Sequence, residues 1–257
     1  MKKEHKEMMK ARKRNIKLVL AYDGGRYHGF QRQTNNVLAV QNVLEEKLAI
    51  VFGDAIELAA AGRTDAGVHA YGQVVNFFTD GTIPVERMVR AINSLLPEDI
   101  VIRSAVEVKP DFSARHSAKD KTYLYKIQQG DVPNPFTRQY AWYIRRKLNI
   151  SAMQMALIQL IGEHDFSSFR AAGSAPMSPI RTVYEASCEQ NGEGIEFFFF
   201  GNGFLYHMVR NIVGTIVNVG LGRTTLDEFR EIIVAKNRKY AGATAPAQGL
   251  YLYRVTY

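Results

Sequence analysis

Several protein classes are excluded by what this chain lacks. Cysteine occurs once, at Cys188, in 257 residues. A single thiol rules out an intrachain disulfide framework and any zinc site built from several cysteines. No apolar stretch approaches the roughly 20 residues that a membrane-spanning helix needs. The run IKLVLAY at 16–22, behind a basic N-terminus, is too short for the core of a secretory signal, and no small-residue cleavage site follows it. A cytoplasmic protein is expected. Phosphate-loop and dinucleotide fingerprints are also missing. The glycine-rich piece YDGGRYHGFQRQ at 22–33 has the wrong spacing, and no Lys-Ser or Lys-Thr follows it. It reads either as a surface loop or as a loop that contacts phosphates and bases.

What is present is an ordinary globular composition, 46% hydrophobic and 23% charged, with length enough for one large domain or two small ones. The net charge is +8, and residues 1–17 hold eight Lys and Arg against Glu4 and Glu7, so six of the eight net charges lie there. A basic arm on a nearly balanced body fits a polyanion partner, because each neutralised phosphate releases counterions. It equally fits a solubilising tail.

Periodicity predicts strands at 16–22, 55–61, 72–79 and 100–108, with helices at 38–53 and 84–97. The first helix has Val40, Leu44, Leu48 and Val51 on one face and Gly53 as its stop. The second has Pro84 in its first turn and Val85, Met88, Val89 and Ile92 as its apolar stripe. The order is β-α-β-β-α-β. The second half repeats it with additions: strands at 121–129 and 139–144, a helix at 151–164, a hairpin of 180–190 and 194–201 turning at Asn191-Gly192, helices at 206–220 and 226–236, and a strand at 249–257. Thr225 and Glu228 have capping-box spacing. The fold class expected is α+β, with two ferredoxin-like halves and joined antiparallel sheets that leave a central cleft, an RNA-binding one on the resemblance given below. The domains expected are a disordered basic arm at 1–15, a first half at 16–110 and a second at 111–257.

The stretch AGRTDAGVHA at 61–70 carries more chemistry than a hairpin turn requires. Asp65 can be a turn residue accepting backbone N–H groups. A metal ligand would need partners, and His69 alone is weak support. A catalytic carboxylate would need a nearby cation to keep it charged in a closed site, and Arg63 and Arg210 are candidates. Residue chemistry permits catalysis without selecting it.

The segment GRTDAGVHAYGQVV resembles the signature of the tRNA pseudouridine synthase A family. The blocks YDGGRYHGFQRQ with AVQNVLE, DFSARHSAKDKTYLYKI, GEHDFSSFRAAGS, PIRTV, GNGFLYHMVRNIVGT and APAQGLYLYRVTY are similar to that family's blocks and follow in its order, over roughly 16–257. Phe30 stands where the family commonly has Trp, Ala39 where it usually has Thr or Ser, and Lys121 where Arg is frequent. The basic arm is outside the pattern. The resemblance implies isomerisation of uridine to pseudouridine at positions 38, 39 and 40 of the tRNA anticodon stem-loop, by a homodimer that needs no cofactor and no metal. It implies that Asp65 is the catalytic aspartate, that Tyr123 stacks on the target base, that Arg210 pairs with the aspartate, and that Arg63 takes the place of the displaced base. Leu250 or Leu252 lines the pocket, depending on strand register.

The residues agree with this chemistry. A base leaves the stack at a cost of a few kcal/mol and needs a pocket, and an aromatic platform returns roughly 1–3 kcal/mol per base. Tyr123 and Tyr125 alternate along one strand, so one of the two is expected in the core. FFFF at 197–200 reads as core strand, and His69 and His207 as structural. Competing functions are a non-catalytic RNA-binding module, a basic structural protein of a ribonucleoprotein particle, and a pseudouridine synthase with another RNA target.

Overall fold

Burial alternates along Arg14–Tyr22, with Ile16, Leu18, Leu20 and Tyr22 turned inward, and this period of two makes the segment β1. The computed structural model describes residues 12–33, 37–173 and 178–257. Residues 1–11 of the expected arm lie outside them, and Arg14 and Asn15 already belong to β1. The chain divides into two compact units, one running to Ala118 and taking back Leu252–Tyr257, the other spanning Lys119–Tyr251. The first unit does not end at residue 110 because the segment beyond stays bonded to it. Asn15 Nδ2 donates to Lys109 O (3.0 Å) and Phe112 O (2.9 Å), and Ala114 N donates to Asn76 Oδ1 (2.8 Å).

In the first unit β1 lies between β3 (His69–Thr79) and β4 (Ile100–Val108), antiparallel to both, with Leu18 opposite Val75 and Leu20 opposite Ile102. The strand β2 is only Ala59–Ala60, paired with β3. The longer strand expected at 55–61 does not form because Leu58 N is taken by the buried Glu45 Oε1 (3.1 Å). Helix α1 (Val40–Phe52) buries Val40, Leu44 and Leu48 and stops at Gly53, whose φ of 71° closes its last turn. Helix α2 (Val85–Asn93) buries Met88 and Ile92 and packs on β4.

In the second unit β5 (Asp120–Gln129), β9 (Gly194–Gly201), β8 (Ile180–Asn191) and β7 (Gly162–Asp165) form an antiparallel sheet in that order. A short β6 (Trp142–Ile144) runs parallel to β5. Phe197 and Phe199 are fully buried, each worth roughly 1.5–3 kcal/mol. Cys188, on β8, is 1% exposed, and burial pushes its thiol up to about 11. Helix α3 is Ile150–Ile158, not 151–164. The chain leaves the helix through tight turns, with Leu160 N donating to Leu157 O and Ile161 N to Ile158 O, and 162–165, opening on Gly162 at φ 106°, pairs with β8 instead. Helix α3 packs against β8 and against α4 (Met208–Gly220), and α5 (Leu226–Ala235) starts with the expected Thr225–Glu228 capping box. The last strand, β10, is Leu250–Thr256. The chain is thus a mixed α+β protein whose strands pair mostly antiparallel.

Candidate active site

Asp65 opens a tight turn. Val68 N donates to Asp65 O at 3.1 Å, and Gly67 holds a φ of 76°, the left-handed position that such a turn gives to glycine. Asp65 is half-buried, Arg63 exposed, and Thr64 between them buried. The Thr64 hydroxyl bonds Tyr22 Oη at 2.7 Å, Gln73 Nε2 donates to Gly62 O at 2.9 Å, and Ala61 N donates to Val74 O at 2.9 Å. The carboxylate therefore sits on a backbone fixed on both sides by β1 and β3. Burial pushes the Tyr22 phenol well above its usual range, so it acts as a neutral hydroxyl.

The loop 23–33 holds this turn from outside. Gly24 lies so close to Val68 O that a Cβ there would be 2.0 Å from it, and a Cβ on Gly29 would be 2.7 Å from Thr64 O. Phe30 N donates to Thr64 O at 3.0 Å, and Gly67 N donates to Tyr27 O at 3.3 Å. His69 is 1% exposed, and its Nδ1 lies 3.0 Å from both Gly24 N and Asp23 Oδ1. The other side of the loop caps α1. Ala39 offers no side-chain cap, and the orphan N–H groups of Val40 and Gln41 bond to Gly29 O (3.3 Å) and Phe30 O (2.9 Å) instead. Arg32 Nη1 reaches Glu45 Oε2 at 2.8 Å, and Gln41 Nε2 donates to Glu45 Oε1 at 2.8 Å. The base of the loop is pinned by Asp99, which accepts from Asp23 N (2.9 Å), Arg26 Nε (2.8 Å) and Tyr27 Oη (2.7 Å). Sequence reasoning missed this clamp. Its signal was the pair of glycines at 24 and 29, each placed where two backbones touch.

Arg63 makes no ion pair among the described residues. Arg63 and Asp65 belong to the first unit, whereas Tyr123, Arg210 and Leu250 belong to the second. Tyr123 is half-buried, its ring edge-on to Phe204 at 5.1 Å, while Tyr125, two residues on, is fully buried and donates its hydroxyl to Pro246 O at 2.8 Å. Of the two tyrosines, Tyr125 is the core residue. Burial raises the Tyr125 phenol strongly, and the positive field of Arg210 opposes that rise. Arg210 is half-buried on α4, and its Nε donates to Ala245 O at 2.7 Å. Leu250 (6% exposed) and Leu252 (0%) are both buried, two residues apart on β10. His207 is the N-cap residue of α4, without a side-chain capping bond, and its backbone holds a φ of 59°, uncommon for a residue other than glycine.

Among the described residues no group of three or more His, Cys, Asp or Glu is placed to hold a metal ion. Nor is any helix there long and apolar enough to cross a membrane. A carboxylate on an immobile turn, within a chain of this patterning, suits chemistry on a bound substrate that needs one fixed anion.

Comparison with known proteins gives that chemistry a class. The family model described as tRNA pseudouridine synthase matches residues 18–117 and 156–257. The chain belongs to the tRNA pseudouridine synthases, isomerases that turn uridine into pseudouridine in tRNA. Its relatives within that family carry the name tRNA pseudouridine synthase A. The protein of Moorella thermoacetica is 49% identical over 243 residues, 94% of this chain and 99% of that one. Those of a Thermoanaerobacter species and of Acetivibrio thermocellus are 48% and 45% identical over 244 residues, 95% of this chain and 100% of theirs.

Proposed function

We propose that this isomerase modifies uridines 38, 39 and 40 of the tRNA anticodon stem-loop, as a cytoplasmic homodimer without metal or organic cofactor. Asp65 is the catalytic carboxylate, Tyr123 the platform for the extruded uracil, Arg210 the cation that pairs with the carboxylate, Arg63 the side chain that fills the vacated place in the RNA, and Leu250 an apolar wall. The observation that carries this reading is the Asp65 turn, tied by hydrogen bonds to β1, to β3 and to the 23–33 loop, which a plain turn does not require.

The reaction breaks the N1–C1′ bond, turns the uracil, and joins C5 to C1′. C5 then gives up its hydrogen as a proton and N1 gains one, so atoms and electrons balance with no redox partner. A carboxylate held in one place suits this chemistry, because its orientation cost is met during folding. A half-buried aromatic ring such as Tyr123 suits stacking on a base, worth roughly 1–3 kcal/mol. Exposed Arg63 suits contact with RNA phosphate or with a gap in a base stack. The strand order β4-β1-β3, with β2 also paired to β3, supports a ferredoxin-like first half. We read the second half as a decorated version of the same plan. The dimer is tested by sedimentation equilibrium, where a monomer would overturn it.

The deciding experiment follows tritium release from tRNA labelled with 5-[³H]uridine, with no metal or nucleotide added. Wild type releases tritium. Asp65→Asn and Asp65→Ala release none while still binding tRNA. Mapping the product in tRNAs with single uridines at 38, 39 or 40 tests position. Release by Asp65→Ala at the wild-type rate would return Asp65 to the role of a turn residue.

A further inference from the structure

Arg210, on α4, is gripped by a strap made of residues 241–246. Gly242 N donates to Thr215 Oγ1 at 2.9 Å. Ala243 O approaches α4 so closely that a Cβ on Gly214 would be 1.8 Å from it. The Thr244 hydroxyl donates to Asn211 Oδ1 at 2.6 Å, and Pro246 O accepts from Tyr125 Oη at 2.8 Å. Between these ties Ala245 grips Arg210 twice. Ala245 N donates to Arg210 O at 3.1 Å, and Arg210 Nε donates to Ala245 O at 2.7 Å. With Nε engaged, the plane of the guanidinium is fixed, and so is the direction of its two terminal nitrogens.

Arg238 stands behind the strap. Its Nη2 donates to Asn211 Oδ1 (3.1 Å) and Thr244 Oγ1 (3.2 Å), and its Nη1 to Ala241 O (3.1 Å). Asn211 is fully buried and passes the hold on, donating to Phe169 O at 2.8 Å. Among the described residues the acceptors of Arg238 are all neutral, so its charge is partly desolvated without a carboxylate in return, and burial lowers its pKa. Such a charge adds little stability. What it supplies is a rigid fork that ties α4 and the strap together at two oxygens.

We propose that Arg238 and Thr244 are positioning residues for the isomerisation: they lock the strap to Asn211 so that Ala245 presents the Arg210 guanidinium in one orientation. This rests on the reading of Arg210 as the cation serving the catalytic carboxylate.

Thr244→Val keeps the side-chain shape and removes the hydroxyl. It is compared with Thr244→Ser, Arg210→Ala and the double variant Arg210→Ala/Thr244→Val, by single-turnover tritium release, KM for tRNA, and melting. The expected result is that Thr244→Val slows the chemical step by about tenfold with KM unchanged, and that Thr244→Ser restores it. In the Arg210→Ala background Thr244→Val changes the rate by less than twofold, because there is no guanidinium left to aim. The same factor in both backgrounds, or no loss at all, overturns the proposal while leaving the role of Arg210 intact. An Arg210→Ala enzyme at full speed overturns the role of Arg210 and this proposal with it. Arg238→Lys, whose single ammonium cannot reproduce the fork, is run through the same comparison, so an unfolded Thr244 variant does not end the test.

Discussion

Gly24→Ala is a one-methyl test of the clamp around Asp65. Gly24 does not have positive φ, so its backbone conformation suits any residue and the new methyl alone carries the effect. Its Cβ would stand 2.0 Å from Val68 O and 2.6 Å from Val68 C. Real Cβ atoms keep at least 3.0 Å from such neighbours, so the two backbones must part by about 1 Å. The loop cannot retreat, because Asp99 holds its base and α1 takes its carbonyls. The displacement falls on Val68, whose N–H closes the Asp65 turn. Overpacking of this kind costs about 3 kcal/mol, which for a chain of this size lowers the melting temperature by roughly 6–12 °C. A misplacement of about 1 Å at a reacting group costs on the order of 100-fold in rate. Single-turnover tritium release, measured well below the melting transition, is therefore expected to fall about 100-fold, with tRNA binding much less affected. Gly130→Ala is the control, since its Cβ would meet nothing closer than 3.5 Å, and it is expected to melt and react like wild type. A Gly24→Ala enzyme with wild-type melting and wild-type rate would refute the claim that the loop holds the turn.

Tyr123→Leu is expected to be slower than Tyr123→Phe by about 5- to 150-fold in kcat/KM for tRNA, the worth of roughly 1–3 kcal/mol of stacking, and equal rates would remove the platform role. Thr225→Ala removes the side-chain half of a capping box, the Thr225 hydroxyl that accepts from Glu228 N, and leaves the backbone half in place; it is expected to cost about 1 kcal/mol in urea unfolding without changing the rate of tritium release. The Tyr27 phenol is pushed up to about 12 by burial and by the Asp99 carboxylate that accepts from it. Its proton is held more tightly in the folded than in the unfolded chain. The stability this contributes is whole below about pH 10 and is lost as pH rises through about 12. Urea midpoints are expected to drop over that window, and to drop less for Tyr27→Phe.

Much of this architecture was legible in the sequence because it is local. Gly53 stops α1, the Thr225 capping box starts α5, and the 100–108 strand has its expected bounds. Errors arose where a distant partner decides. The helix expected at 151–164 stops at Ile158, and Gly162 pairs with Val183, more than twelve residues away in sequence. The strand at 55–61 shrank because Glu45, on α1, captures Leu58 N. The strand at 139–144 begins only at Trp142, since Tyr140 N turns back to Thr137 O. For the site, the motif named Asp65 and its flanking glycines. It did not name Asp99 or the Arg238–Thr244 tie, because their partners Tyr27 and Asn211 are brought to them only by the fold.

The first unit reclaims Leu252–Tyr257 after a second unit of well over a hundred residues. Gly72 lies against Tyr253 O, Tyr257 donates to Ala114 O at 2.9 Å, and Lys17 sits over the Tyr257 ring at 5.6 Å. During vectorial synthesis the half that bears Asp65 is made first yet must wait for its closing strand until the other half has emerged. Chains cut before residue 252 are thus expected to hold a well-folded second unit and an unfinished first one, and to stay silent until Leu252–Tyr257 joins the half that bears Asp65.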